Sequence, residues 1–167
     1  MDITLEELLL SRDNRQQTQR NLLREYKGKT LLCLTVIMPG KEKRNEKSLF
    51  VAKCAMECIE KTFASSIVYI QKKDLQTGFE AYYIINKVAL ELKKEVCLIE
   101  EEHPLGRLFD IDVINSEGLP ITRQEVGFAP RKCLICDNES RFCMRNFTHT
   151  QEELKNRINE MITNYQV

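Results

Sequence analysis

Asp110 and Asp112 stand two residues apart in the run His103-Pro-Leu-Gly-Arg-Leu-Phe-Asp-Ile-Asp-Val113. On an extended strand both carboxylates project from one face. Two anions held a few ångströms apart repel unless a cation lies between them or one keeps its proton. A divalent metal answers that need. Mg²⁺ (or Mn²⁺) takes one or two protein carboxylates and fills its remaining positions with phosphate and water. Just upstream, Gly106 would let a phosphate approach the backbone, and Arg107 would offer it charge-assisted hydrogen bonds. A lone Asp-x-Asp also suits the solvent face of an edge strand, and here Leu108, Phe109, Ile111 and Val113 make the other face apolar. His103 is weighed as a general base, but Pro104 behind it marks it as the end of the preceding helix.

A second constellation is Cys133-x₂-Cys136 followed by Cys143 and His149. The spacing is compatible with a tetrahedral zinc site. The intervening LICDNESRFCMRN contains no Gly or Pro, and as a helix it would place the three cysteines on one face as buried thiols. Arg131, Lys132, Arg141 and Arg145 surround them. These cations favour thiolates, and they equally suit phosphates or an acidic partner surface. Reduced packing cysteines beside a basic docking surface are the preferred expectation, with structural zinc as the alternative.

The elements that must position these groups follow from periodicity. Thr4 and Glu7 form a capping box ahead of an apolar run, so a helix extends to about Tyr26. Its stripe of Leu5, Leu8, Arg12, Arg15, Gln19, Leu22, Leu23 and Tyr26 is apolar at both ends and polar in the middle. Its arginines either snorkel at the core edge or point into a pocket and hold phosphates. Thr30–Met38 reads as a strand buried on both faces, and residues 46–64 as an amphipathic helix. Ser66–Gln71 and Phe79–Asn86 read as strands joined near Gln76–Gly78, with a helix from Val88 to the region 100–103. Arg107–Asn115 is read as a strand, Ser116–Gly118 as a turn and Leu119–Val126 as its hairpin partner, before a last helix over Glu152–Ile162. Interleaved helices and strands imply an α/β or α+β layer fold, a mixed sheet with flanking helices.

Composition sets the outer bounds. The chain has 167 residues, 25 Lys plus Arg against 25 Asp plus Glu, 43% apolar content and 30% charge. Those values fit one globular domain and exclude full-length disorder. The longest uncharged stretch, Thr30–Gly40, is 11 residues, against about 20 for a membrane span. Neutral net charge argues against bulk capture of nucleic acid. Seven cysteines, an odd number, and an acidic start without a signal pattern lead to the expectation of a cytoplasmic protein with reduced thiols.

HPLGRLFDIDV, with R-x-C-x₂-C-x₆-C-x-R-x₃-H downstream, resembles the citrate lyase holo-[acyl-carrier protein] synthase family. LLLSRDNRQ near the start, MPG-x-x-K after the first strand and the closing TH-x₄-L also look like that family's pattern, so the likeness spans nearly the whole chain. The resemblance implies a single nucleotidyltransferase-like domain over residues 1–167, with a helical Cys/His segment of about 131–167 packed on it. It implies transfer of 2′-(5″-triphosphoribosyl)-3′-dephospho-CoA to a serine of the apo acyl carrier protein, the gamma subunit of citrate lyase, with loss of pyrophosphate. In that likeness Asp110 and Asp112 are the metal-binding pair, Gly106 and Arg107 its preceding turn, and Arg12, Arg15, Gln19 and Lys43 donor contacts. Glu125, on the expected hairpin strand, is the candidate third carboxylate, subject to register. The alternatives are the corresponding synthase for malonate decarboxylase, which the citrate-type flanks disfavour, and a non-enzymatic zinc-stabilised interaction module.

Overall fold

The computed structural model describes residues 1–167. In chain order the elements are α1 (Leu5–Glu25), β1 (Thr30–Val36), α2 (Glu46–Thr62), β2 (Ile67–Leu75), β3 (Gly78–Ile85), α3 (Ala89–Glu102), β4 (Phe109–Ile114), α4 (Ser140–Asn146) and α5 (Gln151–Gln166). Three helices begin at caps written into the chain. Thr4 Oγ1 accepts from Glu7 N at 3.2 Å while the Glu7 carboxylate accepts from Thr4 N at 2.8 Å. Asn45 with Ser48 and Thr150 with Glu153 repeat the device ahead of α2 and α5. Each box satisfies two otherwise orphaned N–H donors, and losing such a cap costs about 1 kcal/mol.

The strands form one sheet in the order β2-β3-β1-β4, and every pairing is antiparallel. The α+β form of the expected fold is therefore the one realised, without the mixed strand direction. Helix α3 joins β3 to β4 in the manner of a parallel crossover, but β1 lies between them, so no parallel ladder forms. Leu32, Leu34, Tyr83, Ile85, Phe109, Ile111 and Val113 share the main core with residues of α2, α3 and α5. On the opposite face Leu31, Cys33, Tyr82, Ile84 and Ile114 pack beneath Leu22 of α1. Burial of β1 from both sides explains its unbroken apolar run. The N-terminal half of α1 leaves Leu5, Leu9 and Leu10 exposed, so the apolar stripe covers the sheet only at its C-terminal end. No helix is long and apolar enough to cross a membrane.

Two expected strands change around the acidic pair. Gly106–Leu108 form a 3-10 turn, and β4 begins only at Phe109. Gly106 is buried against the end of α3, where a Cβ would lie 2.4 Å from the Glu100 carbonyl oxygen and 2.7 Å from that of Ile99. Close approach to protein backbone, rather than to a phosphate, is what this glycine provides. Gly106→Ala should lower stability by about 1–3 kcal/mol, the usual effect of overpacking. A fall in the urea midpoint at unchanged slope checks this.

The hairpin partner expected over Leu119–Val126 is not a strand. Pairing stops at an isolated bridge between Ile114 and Pro120, and Gln124–Val126 form a 3-10 turn. Pro120 has no N–H for a ladder. Thr122-x-x-Glu125 is itself a capping pair: Thr122 N donates to Glu125 Oε2 at 2.6 Å, and Glu125 N to Thr122 Oγ1 at 3.3 Å. A helix-start signal was hidden in residues that alternate like a strand.

Candidate active site

Alternation along β4 sends Phe109, Ile111 and Val113 into the main core and Asp110 and Asp112 out of the other face, towards α1. Asp112 pairs across the ladder with Cys33, and Asp110 with Thr35. Thr35 Oγ1 donates to Asp110 Oδ2 at 3.2 Å, which orients that carboxylate. Burial and then the Asp110 charge push the Asp112 carboxyl above its ordinary range, while Lys93 and Arg15 oppose the rise. The same-side carboxylate pair read from the sequence is present.

Beside it lies a cleft of about 510 Å³, whose walls include Ser11, Arg12 and Arg15 of α1, Lys43, Arg107 and Asp110. Arg15 Nε donates to Glu80 Oε1 at 2.9 Å, and the Tyr82 hydroxyl donates to the other oxygen of that carboxylate. Glu80 is only 2% exposed, so it is a third carboxylate on this sheet face, spent on holding the arginine. Burial alone would lower the Arg15 pKa, but the Glu80 hydrogen bond and charge outweigh it and raise it. Arg12 is exposed on the cleft wall. Lys43 donates to the Met38 carbonyl at 2.7 Å, and burial followed by the Arg12 charge lowers its pKa. Gln19 sits farther along α1, half-buried and outside the cleft lining.

Arg107 closes the far side. Its Nε donates to the Lys132 carbonyl at 2.7 Å and one terminal nitrogen to Ser140 Oγ at 3.2 Å. Its remaining terminal nitrogen is buried without a partner. Burial, then repulsion by Arg131, bring its pKa down to about 10, so it stays charged at neutral pH. A buried guanidinium nitrogen with no acceptor, on a cleft wall, is suited to a phosphate oxygen.

Several expected residues fall elsewhere. Glu125 is exposed, with its carboxylate turned back on Thr122, and does not line the cleft. His103 ends α3, its Nδ1 accepting from Leu105 N at 3.0 Å. Arg131 is no part of a docking surface. It pairs with buried Glu100 at 3.3 Å and donates to the carbonyls of Phe109 and Gly106 at 2.7 and 2.9 Å. The helix expected through Cys133–Cys143 is absent before Ser140. Asp137 and Asn138 make a turn, in which Cys133 N donates to the Asn138 carbonyl at 2.7 Å. The cysteines therefore do not share a helical face, and Cys133, Cys143 and His149 line the cleft. Burial opposes ionisation of Cys133, but backbone N–H groups of Ile135 and Cys136 at its sulfur prevail and lower its pKa to about 7. Glu80 and Thr35 went unnoticed in the sequence because neither belongs to a motif; cross-strand register alone brings them to this face.

Comparison with known proteins adds the following. A family model described as apo-citrate lyase phosphoribosyl-dephospho-CoA transferase matches residues 3–165. "Protein CitXG" of Haemophilus influenzae is 34% identical over 98% of this chain, which spans 36% of that longer protein. A Streptococcus pyogenes protein named "Probable apo-citrate lyase phosphoribosyl-dephospho-CoA transferase" is 32% identical over 98% of this chain and 87% of its own length. A Vibrio cholerae protein of the same name is 35% identical, covering 99% of this chain and 94% of its own.

Proposed function

This chain belongs to the apo-citrate lyase phosphoribosyl-dephospho-CoA transferase family, and from that membership we propose that it completes citrate lyase in the cytoplasm. It moves 2′-(5″-triphosphoribosyl)-3′-dephospho-CoA onto a serine of the apo acyl carrier protein, the gamma subunit. The serine Oγ–phosphorus bond forms as the bond to the two outer phosphates breaks, and pyrophosphate leaves. The observation that carries this reading is the placement of Asp110 beside a cleft whose walls bear Arg12, Arg15, Lys43 and Arg107. An acidic pair next to four cations is what a metal-bound polyphosphate requires.

The donor set fits Mg²⁺ or Mn²⁺. Asp110 and Asp112 offer hard oxygens from one face of one strand, and Lys93 and Arg15 offset their mutual repulsion and burial only in part. When bound there, the ion supplies polarisation of the attacked phosphate, easier loss of the serine proton and neutralisation of the leaving pyrophosphate. Thr35 holds Asp110 in orientation. Glu80 and Tyr82 hold Arg15 towards the cleft, and the free nitrogen of Arg107 takes a phosphate oxygen. The attacking hydroxyl belongs to the carrier protein, so the chain needs no nucleophile of its own.

Incubation with donor and apo carrier protein tests the assignment. Stoichiometric mass gain on the citrate lyase carrier, and not on the malonate decarboxylase carrier, is expected. No gain on either would leave a binding module. The two helix arginines should separate cleanly. Arg12→Ala weakens donor binding about ten- to hundredfold, the value of a charge-assisted contact of roughly 1.5–3 kcal/mol, with Tm unchanged. Arg15→Ala weakens it similarly and also lowers Tm, because buried Glu80 loses its counter-charge. Titration calorimetry with thermal unfolding reads both.

A further inference from the structure

The Cys133, Cys136, Cys143 and His149 cluster has no part in the transfer chemistry, yet its geometry is that of a ligand set. One ligand atom from each residue lies within 4.8 Å of all the others. The Cys136 and Cys143 sulfurs are 3.4 Å apart, and zinc–sulfur bonds of about 2.3 Å in a tetrahedron need sulfurs about 3.8 Å apart. Independently of the cysteines, His149 Nε2 is buried with no hydrogen-bond partner. A buried imidazole nitrogen is seldom left so.

The backbone is shaped to gather these four groups. Ile135 N donates to the Cys133 sulfur at 3.4 Å within a tight turn closed by Cys133 N and the Asn138 carbonyl. After α4, Phe147 adopts a left-handed conformation (φ 47°) with its ring 88% exposed. A bulky side chain rarely accepts that backbone, and here nothing packs on the ring to reward it. What the turn accomplishes is to reverse the chain and return His149 to the three sulfurs. Reduced packing thiols explain neither the reversal nor the orphaned nitrogen.

We propose that Cys133, Cys136, Cys143 and His149 bind one zinc ion in a closed, four-ligand structural site that secures residues 131–150 as a wall of the cleft. Four protein ligands leave no open position, which makes the ion structural rather than catalytic. Of the two anchors of Arg107, Ser140 Oγ lies inside the loop it would tie and the Lys132 carbonyl immediately precedes the first ligand. The metal thereby fixes a phosphate-binding arginine without touching substrate.

The test is metal content of the full chain purified with reductant and without chelator, a reading independent of whether the protein transfers anything. About one zinc per chain is expected, and cobalt(II) in its place should give the visible spectrum of a tetrahedral thiolate site. Zinc should be lost in Cys136→Ser, retained in His149→Cys, which keeps four ligands, and retained in Cys58→Ser, outside the cluster. A zinc-selective chelator, with Mg²⁺ in excess, should lower Tm by about 10 °C or more. Should Cys136→Ser not fold, the wild-type zinc count, the cobalt spectrum and His149→Cys still decide. Metal-free protein with unchanged Tm, or a Cys136–Cys143 disulfide in the freshly purified chain, would overturn the proposal.

Discussion

Asp110→Asn and Asp112→Asn should each leave a folded protein whose transfer rate has fallen by at least about 10²–10³-fold, the scale set by removing one electrostatic stabiliser of a transition state. Neither side chain packs in the core, and both project from β4 towards α1. Stability should move the opposite way. Folding raises the Asp112 pKa, so the folded protein holds that proton more tightly than the unfolded chain does. The resulting stabilisation is complete below the ordinary carboxylate range and is lost as pH rises through the folded value. At neutral pH, without divalent metal, the charged pair is a burden that Asp112→Asn relieves, and Tm should rise. Mg²⁺ should raise the Tm of the native protein and leave that of Asp110→Asn/Asp112→Asn unmoved. Undiminished transfer by either folded single variant would remove the pair from the mechanism.

Glu100→Ala should have the largest effect on stability of any single change at this end of the sheet, about 3–5 kcal/mol. Whole domains are stable by only about 5–15 kcal/mol. The Glu100 carboxylate pairs with Arg123 at 2.9 Å and Arg131 at 3.3 Å, and all three side chains are largely buried. It also accepts from the Ile111 amide at 3.4 Å, on the strand between the two aspartates. Truncation leaves buried Arg131 with no carboxylate partner and Arg123 with only the exposed Glu101, and it loosens Arg131, whose other donors hold the carbonyls of Gly106 and Phe109. Glu101→Ala is the control. That residue meets the same Arg123 at 2.6 Å, but its side chain is 51% exposed, and the change should register within about 1 kcal/mol. Chemical denaturation of both variants at neutral pH reads the difference.

How far these features were legible depended on whether their cause was local. Thr4 with Glu7, the unbroken apolar run of β1 and the alternation of β4 are local, and each appears where the sequence placed it. The Thr122–Glu125 pair is equally local, but it was read with the wrong period, and the supposed third carboxylate went with it. Gly106 reads as a phosphate-facing glycine because Arg107 and Asp110 beside it suit one; that it touches the end of α3 depends on how two elements dock. Glu80 and Glu100 could not be singled out at all. A buried carboxylate is recognisable only from its arginines, and Arg15, Arg123 and Arg131 stand 65, 23 and 31 positions away along the chain.

The cleft draws its walls from segments far apart in the chain, Leu8 to Arg15 on one side and Cys133 to Leu154 on the other, over a floor laid down in between. Synthesis therefore delivers α1 before the strands of the sheet and the Cys133–Leu154 wall after them. The sheet and its main core can begin to consolidate while the site is still half built. A chain interrupted near residue 130 has every strand of the sheet and both aspartates, but not the wall that anchors Arg107. A variant truncated near residue 130 should therefore keep the sheet and lose the cleft wall, so that any transfer activity is extinguished before the sheet is abolished.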